Sequence, residues 1–225
     1  MSPSARQRAL PRIALLAGLS AVAAAPAVRA DVEEWRLDPT HSRIVFDVGH
    51  AGFSYSMATL SKPTGRLMFD PESWEGASVE AEIPMASLDF GDDEWNETMR
   101  GRSWFDVERF PVARFVSTLV EPIDEDEARV HGTLTVRDAS APVTLELRVN
   151  DVRRNPLSLR RTAGFSATAT LNRDDFGLDR NANLIGQAVR VRLEIEAVRG
   201  RARGESNIDE APPTGENADA DPQLR

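Results

Sequence analysis

From Val189 to Glu196 the chain reads Val-Arg-Val-Arg-Leu-Glu-Ile-Glu. Every second side chain is apolar, and every side chain between is charged. A period of two is the pleat of a β-strand, with one dry face and one wet face. Such a strand cannot sit in a parallel sheet covered by helices on both sides, because its charged face would be buried. This pattern recurs along most of the chain. It is found at 32–39, 43–48, 64–70, 78–83, 112–120, 129–136, 143–149 and 163–171, as well as at 188–198. On the strand at 112–120, Ala113, Phe115, Ser117 and Leu119 share a side. Turn residues separate the segments, as in Asp70-Pro71-Glu72-Ser73 and residues 138–142. Residues 49–52 read as a turn or bulge, and the arginine-rich residues 151–161 as a solvated loop.

One segment does not follow the pattern. Residues 84–118 hold a short helix signal: Asp92 or Asp93 as cap, Trp95 and Met99 four apart on one face, and Gly101 as terminator. Trp104 and Phe105 follow and are expected to pack inward. Pro111 then starts a new strand. The expectation is a cover over something in the sheet.

About eight strands with one dry face each, short connections and no helices to cover a sheet leave two architectures, a two-sheet sandwich or a closed barrel. An eight-stranded barrel is just wide enough to be filled by its own side chains or to hold one small ligand. The dry faces carry many small residues: Ala81, Ala113, Ser117, Gly132, Ala163, Ala167 and Ala169. In a barrel they would leave an apolar lumen. In a sandwich they would mark a close approach of two sheets.

The ends of the chain differ from its middle. Residues 1–30 begin with Arg6, Arg8 and Arg12, continue with an apolar run at 13–28, and finish Val-Arg-Ala. That is the layout of a secretory signal peptide, with the mature chain beginning near Asp31. Residues 31–199 form the domain. Residues 200–225 are rich in Gly, Pro and acid and read as a disordered tail. The expected location is the periplasm, with no stable membrane insertion after cleavage. The chain has no cysteine, so packing alone must hold the fold, and thiol chemistry is excluded. The formal charge is −9, and the leader's four arginines make the mature chain more acidic still. That balance speaks against nucleic acid as a partner.

No catalytic set is visible. His41, His50 and His131 are not at metal-pair spacing, and there is no H-E-x-x-H or G-x-S-x-G motif. No metal or cofactor is expected, and the chain reads as a binding protein rather than an enzyme.

Several stretches then resemble one family. Trp-Arg-Leu-Asp-Pro-Thr-His-Ser-Arg-Ile-Val-Phe at 35–46 resembles the opening of the YceI-like periplasmic polyisoprenoid-binding proteins. Phe-Pro-Val-Ala-Arg-Phe-Val-Ser-Thr at 110–118, residues 130–147, and Gly-Phe-Ser-Ala-Thr-Ala-Thr-Leu-Asn-Arg-Asp-Asp-Phe-Gly at 164–177 are similar to later family motifs. The resemblance implies a lipocalin-like antiparallel eight-stranded barrel, with the helical segment near its mouth and a long isoprenoid or fatty chain in its lumen. Phe46, Leu67, Phe69, Phe115, Leu134 and Phe165 would line the chain site. Trp95, Met99, Trp104 and Phe105 of the cover would join them, with Phe176. Arg173 would face a phosphate or quinone oxygen, or pair with Asp174 or Asp175. Residues 54–69, with Ala58-Thr59-Leu60 where the family has G-x-F, and residues 89–101 depart from the family pattern. Two other readings stay open: a lipid-modifying enzyme using His41 or His131, and a closed barrel docking a membrane or redox partner. The assembly would be a monomer or a homodimer.

Overall fold

The computed structural model describes residues 31–200. The leader at 1–30 and the tail beyond Gly200 lie outside the described residues. Ten strands form one antiparallel sheet. They are β1 (Glu33–Leu37), β2 (Arg43–His50), β3 (Ser54–Ser61), β4 (Thr64–Asp70), β5 (Ser73–Pro84), β6 (Val112–Pro122), β7 (Glu127–Val136), β8 (Ala139–Arg154), β9 (Arg161–Asn172) and β10 (Ile185–Arg199). Among the described residues there is a single α-helix, α1 (Asp93–Arg100), between β5 and β6.

The sheet closes on itself. The hydrogen-bonded order runs β1-β4-β5-β6-β7-β8-β9-β10, and β10 pairs back onto β1. That ring is an eight-stranded barrel, and it decides between the two architectures the sequence allows. β2 and β3 extend two of its staves. β10 pairs with β1 at residues 197–199 and with β2 at residues 185–194, so β1 and β2 act as one broken stave. β3 pairs with β2 and leads into β4 through Lys62, whose φ is 58°, and the buried Pro63.

The break between β1 and β2 is a built corner. It is made by the Asp-Pro-Thr-His-Ser stretch at 38–42. Ser42 is fully buried, and its hydroxyl accepts from the Glu196 amide at 3.1 Å and donates to the Glu196 carbonyl at 3.3 Å. The Asp38 amide donates to the same carbonyl at 2.8 Å. These bonds serve Glu196, one of the two β10 residues that fall between its partner strands, as a buried backbone requires.

Sequence expectations change at three places. Residues 54–61, which the alternation leaves without a strand, form a full one: Ser56 and Ala58 are buried while Tyr55 and Met57 stand out in solvent. Leu119 is 58% exposed, not on the dry face with Phe115. A bulge between Ser117 and Leu119 shifts the register against β7, so Val120 turns inward in its place. The loop expected at residues 151–161 is shorter than that, since β8 runs on to Arg154 and β9 starts at Arg161.

Both ends of the barrel are blocked. At one end Trp35, Phe69 and Phe165 pack with Ala163 and Ala197. The Phe69 and Phe165 rings meet edge to face at 5.5 Å. The Trp35 indole donates to the Phe69 carbonyl at 3.1 Å, so this buried aromatic leaves no polar atom unpaired. At the other end the cover folds over. Met85 and Leu88 are buried, and Asp89 bridges antiparallel to Thr59 of β3.

Candidate functional site: the barrel lumen

Between the two plugs lies a cavity of about 260 Å³ whose exposed wall is entirely apolar. The small residues explain part of it. Ala81, Ala113, Ala167 and Ala169 are on the wall and leave room there. Gly132 and Ala163 are not. Gly132 lies beneath Phe115, and Ala163 is packed in the aromatic plug.

A void of this size has a cost. At about 24 cal/mol per Å³, leaving 260 Å³ empty would cost roughly 6 kcal/mol. That is comparable with the whole net stability of a typical domain, about 5–15 kcal/mol. Water does not repair it, because a water needs two to four polar partners and this wall offers none. The chemistry that suits the space is an apolar chain.

The expected lining residues fall into two groups. Phe46, Leu67, Phe69, Phe115, Leu134 and Phe165 are on the wall, as are Phe105, Arg173 and Phe176. They come from β2, β4, β6, β7, β9, the cover and the turn after β9, and only barrel closure brings them together. Trp95, Met99 and Trp104 are not on the wall. The reason is the seating of α1. Its inward residue is Asn96, whose amide donates to Asp89 at 2.9 Å and accepts from the Phe90 amide at 2.6 Å. Trp95 is left 37% exposed on the outer side, stacked on Phe90 at 5.1 Å. Phe90 in turn meets the wall residue Phe46 at 5.8 Å, edge to face. The cover thus reaches the lumen through Phe105 and Met85, not through its helix.

Arg173 is the one charged residue on the cavity wall, and it is 5% exposed. Its guanidinium is turned away from the void. Nε donates to the Gly186 carbonyl at 2.9 Å, Nη2 to that of Ile185 at 3.1 Å, and Nη1 to that of Leu178. It pairs with neither Asp174 nor Asp175; Asp174 accepts from Gln187 at 2.7 Å instead. Arg173 therefore clamps the loop before β10, while Gly177, at φ 65°, ends the turn that seats Phe176 over the lumen.

The histidines lie outside the lumen wall. His131 sits on the outer face of β7, bonded to Thr144 at 3.0 Å and Glu121 at 3.2 Å. His41 lies at the β1–β2 corner, with Nδ1 2.8 Å from Asp38. Asp38, His41 and Glu196 come close enough to share an ion. The Asp38 carboxylate, however, already accepts from the Thr40 and His41 amides as well as the His41 ring, which is the work of a turn. The His41 ring is held above its ordinary value chiefly by the hydrogen bond to Asp38. Partial burial pushes Asp38 up, but the His41 ring and the two amides outweigh it and hold the carboxyl below its ordinary range.

Two parts of the wall were not among the expected lining residues. Val189, Val191 and Leu193 of β10 complete the wall, and their alternation had marked them as a dry face. Trp74 and Ala77, at the start of β5, belong to the wall as well, but no periodic pattern covers that stretch.

Known proteins show the same architecture. BcnA of Burkholderia cenocepacia superposes with a TM-score of 0.63 at 22% identity, over 71% of this chain and 98% of that one. A polyisoprenoid binding domain from Saccharophagus degradans superposes with a TM-score of 0.55 at 18% identity, over 76% of this chain and all of that one. In sequence, a UPF0312 protein of Pseudomonas putida strain GB-1 is 29% identical over 188 residues, 83% of this chain and 95% of its own. One from Pseudomonas savastanoi pv. phaseolicola is 31% identical over 165 residues, 73% of this chain and 85% of its own. The YceI-like domain matches residues 35–197, from the tryptophan of the plug to its last alanine. The chain belongs to the YceI-like family.

Proposed function

We propose that this protein is a periplasmic binding or carrier protein for an isoprenoid-like or other long-chain lipid, held with its chain inside the barrel. The observation that carries the reading is the lumen itself: about 260 Å³, walled by apolar groups and plugged at both ends. A chain that fills it gains about 0.8 kcal/mol per methylene buried and removes the void's cost. The name of the Saccharophagus degradans domain supports the same ligand class. Export by the leader at 1–30 would put the protein among the lipids it carries. A lipid-modifying enzyme draws no support from the geometry, since His41 and His131 both face away from the lumen.

The test is Ala167→Trp. Ala167 is 5% exposed and on the wall, opposite Leu193 of β10 and Leu147 of β8. An indole there occupies the lumen. The variant should fold, with a stability loss of about 1–3 kcal/mol from overpacking, and should lose its bound lipid. Unchanged lipid content in a folded Ala167→Trp protein would overturn the reading.

A further inference from the structure

The barrel wall has an opening on its side. β5 and β6 pair from Glu80 opposite Val116 to Pro84 opposite Val112, and no further. Residues 73–79 and 117–122 run on without pairing with each other. Each stays attached to its other neighbour: β5 to β4 as far as Ser73, and β6 to β7 as far as Pro122. The bulge between Ser117 and Leu119 lies where the pairing stops. A bulge bends its strand and raises its twist, which draws β6 away from β5. Two side chains bridge the gap. The Val79 amide donates to the Ser117 hydroxyl at 2.8 Å, and the Trp74 indole donates to the Asp124 carbonyl at 2.9 Å.

The cavity reaches this seam. Its wall includes Ala77, Ser78 and Val79, three residues in succession. Alternation puts Ser78 on the opposite face from Ala77 and Val79, and all three lie on the edge of β5 that β6 leaves unpaired. Ser78 is exposed, and Val120 lines the facing side. Large side chains pack at both barrel ends. One is filled by Trp35, Phe69 and Phe165, and the other is covered by Met85, Phe105 and Phe176.

We infer that the long-chain ligand enters and leaves the lumen sideways, through the β5–β6 seam, with Trp74 as its gate. This rests on the lipid-binding reading above. Trp74 is on the lumen wall, packs its ring on Phe69 at 5.5 Å, and holds the turn after β6 by one exposed hydrogen bond. Water can replace that bond when the ring swings out, so the gate opens without leaving a buried polar group unpaired.

The chain has no cysteine, so a crosslink can be placed cleanly. Val79 and Ser117 stand one register step beyond Glu80 and Val116, and are already in contact across the seam. In the full chain carrying Val79→Cys and Ser117→Cys, a disulfide would pin β5 to β6 at the head of the seam and keep the two strands from parting. The probe is parinaric acid, a fluorescent polyene fatty acid, loaded before oxidation and released into excess phosphatidylcholine vesicles. Release from the oxidised form should be about tenfold slower than from the same protein after reduction, the two being compared at equal amounts of loaded probe. Trp74→Ala is the second variant, and its release should be several-fold faster than wild type. Equal rates in oxidised and reduced protein, with the probe still bound, would overturn the side entrance and leave the lipid reading standing. An unchanged rate in Trp74→Ala would overturn the gate. A wild-type protein that takes up no probe would overturn the lipid reading, and the entrance with it.

Discussion

The ring of Phe115 lies directly over Gly132 of the neighbouring strand. A Cβ at position 132 would sit 2.4 Å from the Phe115 Cζ and 2.6 Å from the Val116 carbonyl. The glycine thus makes the berth that keeps Phe115 against the wall rather than across the lumen. Gly132→Ala should therefore do two things. It should cost about 1–3 kcal/mol in urea unfolding, and it should push the ring inward and reduce lipid uptake. A variant with wild-type stability and capacity would show that the berth is not needed.

Arg173 separates a structural role from a head-group role. Three backbone carbonyls depend on its guanidinium, and they lose their partner in Arg173→Met. The expected loss is about 3 kcal/mol, from carbonyls left buried and unpaired. Protein that remains folded at low temperature should keep its lipid, because the guanidinium faces away from the void. Loss of lipid from folded Arg173→Met protein would place the charge at the ligand after all.

The cover is fastened by Asn96. Asn96→Ala removes the bonds to Asp89 and to the Phe90 amide. Hydrogen exchange should quicken at the amides of Thr59 and Asp89, which bond each other's carbonyls at 2.8 and 3.0 Å where the cover meets β3. The Asp89 carboxyl is held low first by the Asn96 side chain and then by the Gly91 amide, so it should titrate higher in the variant. No change at either amide would mean that Phe90 and Trp95 hold the cover unaided.

The β1–β2 corner carries a pH dependence with two limbs. The folded His41 value is raised, so its pairing with Asp38 contributes fully below the ordinary histidine value and fades as pH rises through the folded one. The folded Asp38 value is lowered, so its contribution is present above the ordinary carboxyl value and is lost as pH falls through the folded one. By NMR, His41 should titrate above the usual histidine range, and Asp38→Asn should return it there. A His41 midpoint that ignores Asp38→Asn would contradict the pairing.

Much of the barrel was legible in the residues, since alternation reports directly which face of a strand is dry. The strand at 188–198 places Val189, Val191, Leu193 and Ile195 together, and all four line the lumen. Two kinds of feature escaped this signal. A bulge leaves the apolar residues in the sequence but moves them to the other face, so Leu119 reads as inward and stands in solvent. The helix face that buries Asn96 and exposes Trp95 is set by two hydrogen bonds to a turn six and seven residues away, and hydrophobicity points the opposite way. The Asp-x-x-His-Ser motif was legible as a motif but not as a corner. Its role depends on Glu196, a residue 154 positions away from Ser42.

The account depends on an apolar chain occupying the lumen, and extraction tests that most directly. The natively purified protein would be extracted with organic solvent and the extract examined by mass spectrometry. A stoichiometric prenyl or acyl species is the predicted result, absent from Ala167→Trp protein prepared alongside. A clean blank from the wild-type protein, repeated after incubation with membrane lipids, would contradict the claim that this cavity is a lipid site.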